Sequence, residues 1–255
     1  MCIATYNGEQ FIDQQLRSIL CQIGKDDEII ISDDNSDDST LKIISRFEDK
    51  RIKIYTNTHN VACKSTHVKI KNNFENALNK CTGDIIFISD QDDIWEKNKV
   101  TCCSNYLESY QLVFSDAYIV SGTGQSANSS FYQIKRPPTS FLGKLFNSRY
   151  HGCTMAFRRE LLNVVLPFPP KLPVHDAWIG LLAEQIGRVK FINSKLVKYR
   201  IHEHNASKKS NNNLLYKLSY RYYLFKELYY RVKSVKPDTT FINFITSFRG
   251  NNLCP

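Results

Sequence analysis

Hydrophobic positions in the first part of the chain alternate between two rhythms. Phe11, Ile12, Gln15, Leu16, Ile19 and Leu20 recur at the spacing of one helix face. Residues 28–32 (EIIIS) then form a short apolar run that ends in Asp33-Asp34, the pattern of a buried strand. Leu41, Ile43, Ile44 and Phe47 predict a second helix, and residues 51–56 (RIKIYT) a further strand. Phe74, Ala77 and Leu78 mark a third helix. Residues 84–89 (DIIFIS) are another buried strand and run straight into Asp90-Gln91-Asp92-Asp93. The chain opens on MCIA, which reads as the tail end of a strand. That strand is expected to begin upstream of Met1.

Strand and helix in alternation predict an α/β fold, a mostly parallel sheet flanked by helices. Ligands of such sheets sit beyond the carboxyl ends of the strands. Three strand ends carry polar clusters: Thr5-Tyr6-Asn7, Asp33-Asp34-Asn35-Ser36 and Asp90-Gln91-Asp92-Asp93. The fold would gather them at one edge.

The middle of the chain is less regular. Residues 121–135, rich in Ser, Gly, Asn and Gln, predict a loop or hairpin. Residues 152–157 read as a strand, with a helix from Arg159. A proline-rich connection over 168–174 delivers His175-Asp176 to a helix covering 177–186. Residues 191–199 predict a strand, and 200–210 are polar. From 208 to 236 basic residues alternate with Leu, Tyr and Phe at the spacing of one or two helices, with Glu227 as the one acid.

Composition narrows the classes. The chain has 255 residues, 42% of them hydrophobic, enough for a core and against global disorder. A net charge of +9 favours acidic partners such as phosphates, nucleic acid or an anionic membrane. Eight cysteines include no CxxC pair, which argues against a structural zinc site and for reduced, mostly buried thiols of a cytoplasmic protein. No apolar run approaches the roughly 20 residues that span a bilayer. No secretory signal is expected, because acidic and polar residues follow Met1 almost at once.

The acidic strand ends carry the chemistry. Carboxylates crowded after a buried strand repel one another unless a cation neutralises them. Mg²⁺ or Mn²⁺ fits, because hard cations prefer oxygen ligands and leave room for substrate phosphates. Asp90-x-Asp92 suits that role, and a solvated acidic turn is the plain alternative. Asp33-Asp34-Asn35-Ser36 suits either a helix cap or contacts to a base or ribose. Asp176 suits either an N-cap or a general base. His175 is expected to orient or pack, and His202 and His204 to lie on an exposed loop within reach of a diphosphate or its metal. The first strand is followed by no GxGxxG, and the chain contains no GxxxxGK[ST].

ATYNGEQFIDQQLRSIL, DEIIISDDNSDDST and GDIIFISDQDDIWEKNKV together resemble the family 2 glycosyltransferases, and SDQDDIW the bacterial rhamnosyltransferase-like branch. HGCTMAFRREL, HDAWIGLLAE and YRIHEHN match later landmarks in order, so the resemblance covers residues 1–207. It implies a GT-A fold over 1–207; beyond it the composition predicts a helical basic segment over 208–255. The implied activity is inverting, metal-dependent transfer of a hexose from a UDP- or dTDP-sugar to an acceptor hydroxyl in surface polysaccharide or glycolipid assembly. The resemblance assigns Ala4, Thr5 and Tyr6 to the base pocket and Asp34 to the base or ribose. Asp90 goes to the ribose or metal side, Asp92 to a Mg²⁺ or Mn²⁺ ion bridging the diphosphate, His202 to the diphosphate and Asp176 to the catalytic base. The expected partners are a nucleotide-sugar and a saccharide or lipid-linked saccharide, not nucleic acid. Residues 208–236 suit either an ordinary packed helix or a peripheral contact with the inner face of the membrane. The rival readings are a sugar nucleotidyltransferase and an inactive nucleotide-sugar binding module.

Overall fold

The structure, a computed structural model, describes residues 1–58, 65–122, 126–172, 174–203, 205 and 213–237. Cys63, His204, Cys254, the polar stretch 206–212 and the tail beyond 237 lie outside the described residues.

The first half is a parallel sheet. Strands β1 (Cys2–Thr5), β2 (Ile29–Asp33), β3 (Ile52–Thr56) and β4 (Ile85–Asp90) lie in the order β3-β2-β1-β4. Helices α1 (Ile12–Leu20), α2 (Thr40–Ser45) and α3 (Thr66–Leu78) make the connections. Successive strand residues point to opposite faces, and the apolar runs divide accordingly. Cys2, Ile30, Ile86 and Ile88 enter one core with Phe74 of α3, whereas Ile3, Ile31 and Phe87 enter another with Ile12, Leu16 and Ile19 of α1. Both faces of β2 are buried, which explains its unbroken isoleucines.

The second half is mixed. It comprises β5 (Ile94–Trp95), α4 (Lys99–Leu107), β6 (Leu112–Ser121), β7 (Ser126–Ser130), α5 (Phe131–Ile134), α6 (Phe141–Phe146), β8 (Met155–Arg158), α7 (Leu162–Val165), α8 (His175–Ile186), β9 (Val189–Ile201) and α9 (Leu214–Val235). The sheet continues β4-β8-β6-β9-β5, with β7 paired to β6 as a hairpin. β6 and β9 are parallel; β8 runs antiparallel to both β4 and β6, and β5 to β9.

Three expectations change here. Residues 152–154 are a 3₁₀ turn, so the strand begins at Met155. A Cβ on Gly152 would lie 3.1 Å from His175 Nε2, and this close approach is made where the backbone turns. The segment from Arg159 starts as a 3₁₀ turn over Arg159–Leu161 before α7. Helix α8 begins at His175, with Val174 as its N-cap, so Asp176 sits in the first turn and is not the cap. The basic segment forms one helix, α9. Its Leu224, Leu228 and Val232 are buried in the core that also holds Trp178 and Leu181 of α8.

Candidate active site

Parallel register aligns the strand ends. Thr5 is level with Asp33, and Ala4 is level with Ser32 on one side and Asp90 on the other. The Gln91 side chain ties two of these ends together. Its Oε1 accepts from Thr5 Oγ1 at 2.6 Å and from Tyr6 N at 2.8 Å, and its Nε2 donates to Tyr6 O at 3.0 Å. Gly8 makes room for this amide: a Cβ there would sit 2.5 Å from Gln91 Oε1. Asn73 Nδ2 donates to Thr5 O from α3. Ala4 is therefore half-buried and Thr5 buried, while Tyr6 is 54% exposed at the rim.

The Asp33–Ser36 turn separates the roles that sequence left open. Asp33 is buried and accepts from both Ser36 N and Ser36 Oγ, closing the turn. Asp34 is half-buried, its Oδ1 accepting from Asn57 Nδ2 at 3.2 Å. Asp34 N donates to Thr5 O, which holds this residue beside the end of β1. Asn7 and Asp37 exchange hydrogen bonds across the two loops.

The acidic cluster after β4 is divided in its surroundings. The Asp92 carboxylate is 15% exposed, and its Oδ2 lies 2.8 Å from His202 Nε2. His202 is held by stacking on Phe11 at 4.7 Å and by its backbone N donating to Asn205 Oδ1. Buried Arg200 anchors the same corner. Its Nε donates to Asp92 O at 2.8 Å, its guanidinium also reaches Gly122 O and Gln14 Oε1, and its backbone N donates to Asp93 Oδ1. Asp90 has no hydrogen-bond donor on its carboxylate among the described residues. Burial, then the charges of Asp92 and Asp176, push it up to about 7.

Asp93 faces inward. It is fully buried, and burial with the neighbouring Asp92 and Asp90 charges raises it well above the carboxylate range. Cys153 and Asp90 lie close, all three offering ligand atoms within 4.8 Å of one another. This group is a poor choice for a hard cation, since a buried thiol is a soft ligand. A cation is moreover already present. Lys99 is buried, donates to Cys153 O at 2.5 Å and sits 4.2 Å from the Trp95 ring centroid. Its charge acts on Asp90, Asp93 and Cys153.

The donors on the open side fit a divalent cation better. Asp92 Oδ2 and His202 Nε2 meet at 2.8 Å, both types of ligand a divalent cation accepts, and the donor-free Asp90 carboxyl is close enough to feel the Asp92 charge. Such a cation would relieve the repulsion that raises Asp90.

Asp176 approaches the strand-end acids from α8. Burial raises its carboxyl to about 7, against the lowering effect of the Ala177 and Gly152 backbone amides. Its charge is felt at Asp90, which brings base candidate and strand-end carboxylate to one site. His175 points away from that role. It is buried beside Phe74 at 4.3 Å, its Nε2 has no partner, and burial lowers it to about 3, so it packs as a neutral ring.

Gln91, Asp93, Lys99, Cys153 and Arg200 went unassigned by sequence reasoning. Gln91 stood inside a recognised cluster, so its position was visible and its role was not. Arg200 opened a stretch read as polar, and only the fold reveals that it is 4% exposed.

Residues 1–166 match the family model described as Glycosyl transferase family 2. The chain is 30% identical over 265 residues to dTDP-rhamnosyl transferase RfbG of Shigella flexneri, covering 94% of this chain and 86% of that protein. It is 27% identical over 217 residues to UDP-Glc:alpha-D-GlcNAc-diphosphoundecaprenol beta-1,3-glucosyltransferase WfaP of Escherichia coli, covering 80% and 78%. Among solved structures, S. aureus TarS in complex with UDP-GlcNAc superposes with a TM-score of 0.70 at 17% identity, over 96% of this chain and 70% of that one. Mannosyltransferase PcManGT from Pyrobaculum calidifontis, in complex with GDP-Man and Mn²⁺, gives 0.57 at 16% identity over 94% and 75%. At these identities the two structures speak to fold.

Proposed function

Because this chain belongs to glycosyl transferase family 2, we propose that it transfers a hexose from a nucleoside-diphosphate sugar to a lipid-linked saccharide, inverting the anomeric centre with the aid of a divalent cation. That the chain is a glycosyltransferase of glycan assembly with a GT-A fold follows from the family and its relatives. The finer reading draws on the named substrates of those relatives, dTDP-rhamnose and UDP-glucose donors and a diphosphoundecaprenol acceptor, and on the site.

The observation that carries the proposal is the Asp176 carboxyl, half-buried, held near neutrality and electrostatically coupled to Asp90. A general base works best when its pKa lies near the working pH. In the proposed reaction Asp176 takes the proton of the acceptor hydroxyl. The acceptor oxygen bonds to the anomeric carbon as the bond from that carbon to the diphosphate oxygen breaks, and the nucleoside diphosphate leaves. One displacement from the opposite face inverts the centre. Ala4, Thr5 and Tyr6 would line the base pocket, held in place by Gln91, and Asp34 would hold the base or ribose. Asp90 would face the ribose or the metal. Asp92 and His202 would hold Mg²⁺ or Mn²⁺, with His202 also approaching the diphosphate. A bound divalent cation would supply positive charge against the negative charge growing on the leaving diphosphate.

Asp176→Asn should lower transfer by about 10³-fold, the scale of a lost general base, while donor binding measured by calorimetry is retained. Near wild-type turnover in Asp176→Asn would remove the residue from this role. Retention of anomeric configuration in the product, read by NMR, would refute the single displacement.

A further inference from the structure

Helix α9 has two faces, and only one is used by the fold. On the inner face Leu224, Leu228 and Val232 are at most 1% exposed. The cations of that face and of the helix end are spent on backbone carbonyls: Arg221 donates to Phe146 O, Arg231 to Val164 O, Leu166 O and Pro167 O, and Lys236 to Gln185 O.

The outer face reads differently. Leu215, Leu218, Tyr222 and Tyr230 are 75%, 46%, 71% and 59% exposed, and Lys226 and Lys233 are exposed between and beyond them. Steps of three and four residues place all six on one stripe. A helix facing water on its outer side normally shows it a polar stripe. This one shows leucine, tyrosine and lysine, and Glu227, the one acid of the helix, lies off it. Among the described residues neither Lys226 nor Lys233 pairs with a carboxylate.

We propose that the outer stripe of α9 lies on an anionic lipid surface and seats the enzyme where a lipid-anchored acceptor is presented, an inference that rests on the lipid-linked acceptor of the proposed function. Leucines would enter the acyl boundary, tyrosines sit at headgroup level, and lysines reach the anionic headgroups along their apolar stems. The 22 residues of α9 extend about 33 Å, and the stripe runs along most of that length. The described residues include no helix long and apolar enough to cross a membrane, and the contact proposed is a peripheral one. The inner face of the same helix carries Tyr220, whose hydroxyl feels the Asp176 charge. The lipid-facing stripe and the proposed base thus lie on opposite sides of this one helix. Charge argues against a second copy of the chain as occupant, because pairing two stripes brings Lys226 and Lys233 of both copies into one interface with no acid on either stripe.

Flotation of the full chain with vesicles tests this. Wild type should bind phosphatidylcholine vesicles containing about 30 mol% phosphatidylglycerol at least tenfold more than pure phosphatidylcholine, and raised salt should weaken the binding. Leu215→Glu/Tyr222→Glu and Lys226→Glu/Lys233→Glu should each lose about tenfold in vesicle binding with melting temperature unchanged. Wild type that stays off anionic vesicles, or double variants that float like wild type, would overturn the proposal. So would a wild-type dimer in sedimentation that Leu215→Glu/Tyr222→Glu dissolves. Nucleoside-diphosphate binding, measured alongside, separates the two readings: its absence from wild type counts against the transfer reading and leaves the flotation result standing.

Discussion

At Asp176 chemistry and stability pull in opposite directions. Burial raises its carboxyl from 3.8 to about 7. A carboxyl raised on folding stabilises the fold fully below its unfolded pKa, and that contribution is lost as pH rises through 7. The ionised carboxylate, the form the proposed base role requires, therefore costs stability at pH 8, on the order of 2 kcal/mol once its partial exposure is allowed for. Asp176→Asn should raise the melting temperature at pH 8 by about 4–8 °C and change it little at pH 4. Scanning calorimetry at the two pH values checks this, and a lower melting point at pH 8 would contradict it. For wild type, kcat/KM should climb with pH through an apparent pKa near 7, as one base must lose its proton. Legibility at this scale followed burial. The strand-end acids stood out because they follow apolar runs. Lys99 and Asp93 lie in the same segment and are fully buried, yet nothing local distinguishes a buried lysine from a solvated one.

At the scale of elements, the Gln91 amide is the joint between β1 and β4. Gln91→Leu removes its hydrogen bonds to Thr5 and Tyr6 and leaves a buried Thr5 hydroxyl without its acceptor, a loss of about 1–3 kcal/mol. Initial-rate kinetics should show a donor KM raised roughly tenfold with kcat less affected, since the joint holds the proposed nucleotide pocket and not the proposed catalytic base Asp176. An unchanged donor KM would show that the loop keeps its shape without it. We propose residues 1–207 as the catalytic domain, with α9 of the 208–255 segment docked on it. Leu228 is fully buried there, and Leu228→Ala should cost about 2–4 kcal/mol in denaturant unfolding. A cost below 0.5 kcal/mol would mean the helix contributes nothing to the fold. Elements were legible where apolar runs were unbroken, as in β2 and β4. β6 escaped notice because Ser115 and Asp116 interrupt LVFSDAYIVS. Both are buried, and Asp116 Oδ1 accepts from Ala117 N and Tyr132 N, a solution visible only in three dimensions.

Across the whole molecule, the parallel half of the sheet was written in the alternation of strand and helix. The meeting of Thr5, Asp34 and Asp90 at one edge followed from it. The mixed half was not, because β8 and β9 reach their places through long-range pairing that no local spacing announces. His202 illustrates the difference: its ring nitrogen lies 2.8 Å from Asp92 across 110 residues of chain. The central claim, a nucleoside-diphosphate site completed by a divalent cation at Asp92, joins both halves. Thermal melting against UDP, dTDP, GDP and CMP, with and without Mn²⁺, tests it in wild type and Asp92→Ala. A nucleoside diphosphate at about 100 times its dissociation constant should stabilise wild type by about 2.7 kcal/mol with Mn²⁺ present, and Asp92→Ala should lose that shift. No shift with any nucleotide, or a full shift in Asp92→Ala, would contradict it.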